Sequence, residues 1–184
     1  MPISNAVDID NTFIGKGIVK VRRTGEAGYR DVGEVTELEF TMTVDKLDYW
    51  SNRTETRTKA RTVVREKSAM LRIVMSELTA ENLALYFMSA AVTGSPPASP
   101  YEIEIFASTE ITAAVRFVGT NSIGAKVQLD FFNVSFTPGA SFNPISDEWG
   151  QLEVNADVLV DDDGKFGYAL WNITTEQLQG SPPL

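Results

Sequence analysis

The sequence predicts a mainly β protein, a β-sandwich or half-barrel with one α-helix packed on the sheet, in a single domain spanning residues 1–184. Three observations carry this expectation. Apolar and polar residues alternate with a period of two over several long stretches, the mark of strands with one buried and one wet face. Turn-forming sequences recur between those stretches, as they do in sandwiches and barrels. Only one segment, residues 78–91, combines an N-cap with an apolar stripe at helical spacing.

The elements follow in chain order. Short strands fit "KGIVKVRR" and "YRDVGEV", joined by turn chemistry at "TGEAGY". In "EVTELEFTMTVDKLDYW", Leu38, Phe40, Met42 and Val44 alternate with Glu37, Glu39, Thr41, Thr43 and Asp45, which predicts a long strand with one polar side. "AMLRIVMSEL" sets Leu71, Ile73 and Met75 against Arg72, Val74 and Ser76. The helix then begins at Thr79 as N-cap, places Glu81 in its first turn, and aligns Leu83, Tyr86, Phe87 and Ala90 in a stripe expected to cover an open face or edge of the sheet. Its end is set by "TGSPPASP", where the prolines cannot stay helical. Strands are expected again at "YEIEIFA" and "AAVRFVG". "AKVQLDFFNVSF" alternates until Phe131 and Phe132, two adjacent aromatics that predict a bulge. "QLEVNADVLV" pairs Leu152, Val154, Ala156 and Val158 with Gln151, Glu153, Asn155 and Asp157, and "GYALWNI" is a last short strand after a hairpin turn at "DDDGK". Residues 175–184 read as a flexible tail.

Composition excludes several chemistries. The chain has no Cys and no His, so a thiol nucleophile, a disulfide framework, a Ser-His-Asp triad and most zinc sites are ruled out. Asp161, Asp162 and Asp163 lack the alternate spacing and closing Glu of a calcium loop. Glu37 with Glu39, and Glu102 with Glu104, sit two apart on strands, where the spacing puts both on one solvated face and no pocket motif adjoins them. "SIGAK" lacks the glycine spacing of a phosphate loop. The expectation is a protein that is not an enzyme, with no catalytic residues, no metal and no cofactor. The polar, acidic start "MPISNAVDIDNTF" lacks the basic and apolar regions of a signal peptide, so synthesis in the cytoplasm without a membrane anchor is expected.

Charge is distributed unevenly. Residues 1–92 carry 13 basic and 13 acidic side chains and residues 93–184 carry 3 and 12, so the net charge of -9 belongs to the second half. Within the first half, "WSNRTETRTKARTVVREK" (50–67) holds six of the sixteen Lys and Arg residues. Thr, not stacking aromatics, interleaves these cations, and the acidic remainder repels a polyanion, which weighs against nucleic-acid binding. A mobile hairpin tip is one reading. The other is a long loop forming a protruding hairpin arm, whose Trp50, Arg53, Arg57, Lys59, Arg61 and Arg65 dock on the acidic surface of an identical neighbour.

The strand "GKGIVKV", the run "YRDVGEVTELEFTMTVDKLDYWSNRTETRTKARTVVREK" and the passage "MSELTAENLALYFM" resemble the major tail tube proteins of long-tailed, siphovirus-like bacteriophages. The second half is similar in strand pattern only. The resemblance implies a tail tube-like fold assembled into hexameric rings, stacked as a hollow tube around a tape measure protein and later traversed by DNA. It implies partners in other copies of itself, the tape measure protein, and tail terminator and tail tip proteins, with no specific DNA binding, no membrane, and a place in the virion tail. The family's long loop, which reaches a neighbouring subunit or ring, corresponds here to Trp50 to Arg65. If the long strands pair across subunits into one barrel, their polar sides line the lumen with Glu37, Glu39, Asp45, Glu153 and Asp157, and with Asp130 from a third strand. An acidic lumen lets a duplex slide without sticking. The alternative is a β-sandwich binding module of a tail tip or host-surface recognition protein, using Trp149, Tyr168 and Trp171, although aromatics on strands are more often core.

Overall fold

The computed structural model describes residues 14–53, 55–90, 92–95, 99–121 and 126–173. The expected C-terminal tail, 175–184, lies outside them. In chain order the elements are β1 (Gly17–Arg23), β2 (Arg30–Asp31), β3 (Val35–Ser51), β4 (Thr58–Met75), α1 (Ala80–Tyr86), β5 (Val92–Ser95), β6 (Ser99–Ile103), β7 (Ile111–Gly119), β8 (Val127–Pro138), β9 (Leu152–Leu159) and β10 (Gly167–Trp171). The mainly β fold with one helix is what the alternating pattern predicted.

One antiparallel sheet runs β2-β1-β7-β8-β9-β4-β3, with β10 also paired to β8, and β5 and β6 form a separate hairpin. The inward side chains are those of the sequence pattern: Leu71, Ile73 and Met75 on β4 and Leu152, Val154 and Ala156 on β9 are all but inaccessible. They pack with Val19 and Val21 of β1, Val115 of β7, and Phe131, Val134 and Phe136 of β8. The sheet curls over this core. Phe40 of β3 lies 4.9 Å, centroid to centroid, from Phe131 of β8, although β9 and β4 stand between their strands in the sheet order. The result is a half-barrel, because β1 and β3 approach each other without pairing.

On β8 the predicted bulge is present one step along the chain. Ala113 pairs with Val134 and Val115 with Phe131, so Phe132 and Asn133 together oppose Ala114. Two other expectations change. The helix occupies only Ala80–Tyr86, capped as predicted by Thr79, whose Oγ1 accepts from the Asn82 N–H at 3.2 Å. It stops because Met88 adopts φ 54° and the Ser89 N–H reaches the Ala84 carbonyl at 2.8 Å, a left-handed termination. Ala90 is therefore beyond the helix and Phe87 is its C-cap, while Asn82, Ala84 and Leu85 form the buried face.

The second change concerns "DDDGK", which does not join two strands of a hairpin. β9 pairs with residues 133–138 of β8, and β10 pairs with residues 127–131 along the same edge. β9 and β10 are thus one interrupted line of chain, and residues 160–166 are an excursion from it. The Asp161 carboxylate shapes that loop by accepting from the N–H groups of Asp163 (3.0 Å) and Lys165 (2.7 Å). Turn chemistry marks where a chain reverses or steps out, and it does not distinguish the two.

Candidate assembly surfaces

β4 pairs with β9 only over Ala69–Met75, whereas its pairing with β3 continues to Thr58. Beyond Met42 and Ala69 the two strands therefore leave the sheet as a two-stranded ribbon. The sequence predicts a long loop over residues 50–65; the structure makes most of them strand, with β3 running to Ser51 and β4 starting at Thr58. Thr, Val and aromatic residues favour extended backbone, but their period-two signal is absent because neither face of the ribbon is buried.

The ribbon exposes apolar side chains on both faces. A register shift between Asp45 and Lys46 leaves Arg65 as the extra residue of β4. Past it, Leu47 opposes Val63 and Tyr49 opposes Arg61 on one face, while Lys46 opposes Val64, Asp48 opposes Thr62 and Trp50 opposes Lys59 on the other. Tyr49 is 67% exposed and Leu47 is 61% exposed. An isolated two-stranded hairpin is at best marginally stable in water, so cross-strand polar contacts are what hold this one. Asp48 accepts from Lys59 at 2.8 Å and from Thr62 at 2.8 Å, and these hydrogen bonds hold its carboxyl below the usual range. Arg65 pairs with Asp45 at 3.1 Å. Of the six arm residues singled out in sequence, Lys59 and Arg65 are thus internally neutralised, and Trp50 is exposed beside Lys59. Arg53, Arg57 and Arg61 form no ion pair among the described residues.

The predicted polar face is a real neighbourhood for most of its members. Glu39, Arg72 and Asn155 form one cross-strand row of β3, β4 and β9, and Glu37, Val74 and Glu153 form the next. Arg72 binds Glu37 at 2.7 Å and Glu153 at 2.7 Å. Those hydrogen bonds lower the carboxyl of Glu153 and raise the guanidinium further above its ordinary range. Asp157 opposes Met70 on the same side, and Asp45 lies further out, opposite Glu66 on the ribbon. Asp130 stands apart from this group. It is 6% exposed, paired with Arg116 Nε at 2.5 Å and with Gln128 Nε2 at 2.7 Å, and Arg116 also stacks over the Tyr29 ring at 4.6 Å.

Three aromatic candidates are exposed and none is core. Trp149 is 95% exposed in the loop before β9, and Tyr168 and Trp171 on β10 are 50% and 58% exposed. Sequence reasoning missed a further feature, a cleft of about 610 Å3 at the seam between β1 and β3. Leu38, Phe40, Phe117 and Leu129 line it, with Lys16 and Glu34 also on its walls. Nothing in a linear pattern marks it, since it exists only because the sheet curls. Among the described residues no group of acids is placed to hold a metal, and no helix is long and apolar enough to cross a membrane.

A family model described as protein of unknown function UCP028589 matches residues 12–98 and 97–170. The chain belongs to that family. No curated protein compared with this UCP028589 member matches it. Among solved structures it is similar to a chain of one described as "Cryo-EM structure of the anti-feeding prophage (AFP) baseplate, 6-fold symmetrised", at 9% identity and a TM-score of 0.44, covering 86% of this chain and 95% of that one.

Proposed function

We propose that this protein is a structural, self-assembling subunit of a phage tail tube and not an enzyme. Its copies form hexameric rings that stack into a hollow conduit for a tape measure protein and then for DNA, and its place is the virion tail. The observation that carries the reading is the β3–β4 ribbon, which leaves the sheet with apolar side chains on both faces and, among the described residues, touches nothing that would bury them. Such a ribbon costs conformational entropy that its own contacts scarcely offset, and burial against a neighbouring copy supplies the missing area. The outer edge of β3 adds a long row of backbone groups open to pairing. The sequence likeness to tail tube proteins points to the same geometry, and the Glu37, Glu39, Glu153 and Asp157 side would then face the bore, from which duplex DNA is repelled.

Electron microscopy of the purified, concentrated protein tests this: rings or tubes are expected, and a monomer at every concentration, even with tail initiator proteins added, overturns it. The exposure of Trp149 favours a second reading, a tail-tip or host-surface binding module. That reading predicts a monomer whose melting temperature rises with a surface ligand.

A further inference from the structure

The ribbon and the seam cleft lie on one chain, and their chemistry is complementary. The cleft is an apolar hollow whose lining includes Leu38 and Phe40 at the near end of β3. The ribbon presents Leu47, Tyr49 and Val63 on one face at the far end of the same strand, with Arg61 directly across from Tyr49. The charge balance at the cleft favours a cation as well, since two acids, Glu34 and Glu77, stand against the one Lys16 on its wall. The rim of the cleft carries Glu34, and Glu77 lies beside it, its carboxylate accepting from the Glu34 N–H at 3.1 Å. Arg61 forms no ion pair within the described chain.

A subunit cannot fill its own cleft with its own ribbon. β3 is continuous and paired along its length, so the stretch from Leu38 to Tyr49 is a stiff span of roughly 36 Å at the usual strand rise. We infer that the cleft between β1 and β3 receives the Leu47–Tyr49–Val63 face of a second copy, with Arg61 of that copy set against Glu34 and Glu77 at the rim. This deepens the assembly reading above and rests on it, by naming the socket that the arm enters. Repeated head to tail, a contact between different surfaces of the two partners closes into a ring or propagates as a filament, whereas reciprocal exchange of arms stops at a dimer.

Two kinds of variant test the inference. Because the chain has no cysteine, a Thr36→Cys, Ser51→Cys double variant carries one thiol at the cleft wall and one on the arm, two residues along β3 from Tyr49, with the docking side chains left in place. Mild oxidation of assembled protein is expected to give a ladder of covalent multimers on a non-reducing gel. Separately, Glu34→Arg and Arg61→Glu should each abolish assembly, and combining them in one chain should restore it. Tyr49→Ser should also abolish assembly, and its melting temperature should match the wild type, since Tyr49 packs in no core. If wild-type protein assembles but the thiols stay uncoupled and the charge swap rescues nothing, the socket lies elsewhere and the assembly reading stands. If the wild type never assembles, the assembly reading itself is lost.

Discussion

Arg72 on β4 and Glu153 on β9 meet at 2.7 Å on the polar side of the sheet, and the same guanidinium reaches Glu37 on β3 at 2.7 Å. One cation therefore ties three strands together on the side opposite the core. The bond lowers the Glu153 carboxyl below its ordinary value. A carboxyl with a depressed folded pKa contributes stability that is present above its unfolded value, about 4.3, and lost as pH falls through the lower folded value. Glu153→Gln should therefore melt below wild type at neutral pH, and the gap should close as pH falls below about 4. Thermal melts across that range check this, and a gap independent of pH would mean the effect is packing and not charge.

Asp130 and Arg116 make a different kind of pair, with side chains 8% and 12% exposed. Removing one partner strands the other charge in a poorly hydrated site. Asp130→Ala should cost about 3 kcal/mol in chemical denaturation. The double variant Asp130→Leu, Arg116→Met should recover much of that loss, because replacing a buried pair with apolar residues is often close to neutral. A double variant as unstable as the single would show that Tyr29 and Gln128, which touch the pair, matter more than its charges.

At the start of α1, Thr79 and Asn82 do separate jobs. Thr79 only caps, so Thr79→Ala should cost about 1 kcal/mol. Asn82 is fully buried, donates to the carbonyls of Val32 (2.8 Å) and Glu77 (3.0 Å), and accepts from Arg30 Nη1 at 2.9 Å. Asn82→Ala leaves all three groups without a partner and should cost about 3 kcal/mol. Equal losses in urea titrations of the two variants would disprove this division of labour.

What could be read from the sequence follows from what each pattern encodes. Leu71, Ile73 and Met75, and Leu152, Val154 and Ala156, stood out because one face of each strand is buried and the other wet. Residues 58–68 did not read as strand because both faces there are exposed, so no apolar alternation is written into them. Asp130 was assigned a wet side because a period of two gives the side of a strand and not its cover. A signal was nevertheless present: Arg116 stands alone between Val115 and Phe117, as Asp130 does between Leu129 and Phe131, and two lone opposite charges in apolar strands suggest a buried pair. The seam cleft and the in-line arrangement of β9 and β10 depend on how distant strands meet, and no local pattern records that.

The arm's cations should divide by whether they already have partners. Lys59 is held by Asp48 at 2.8 Å, so Lys59→Glu sets two carboxylates facing each other and frays the ribbon from within. Arg57 and Arg61 form no such pair among the described residues, so reversing them leaves the ribbon's own contacts in place. The double variant Arg57→Glu, Arg61→Glu should therefore melt with the wild type, within the ~0.5 kcal/mol usual for surface changes. It should nevertheless fail to assemble, since an acidic arm meets an acidic body. Raising the salt concentration should weaken wild-type assembly in the same direction, because exposed charges are screened within about 10 Å at 0.1 M. Sedimentation of both proteins at low and high salt measures the effect. Normal assembly of the double variant would remove electrostatics from the arm's role and leave docking to Leu47, Tyr49 and Val63 alone.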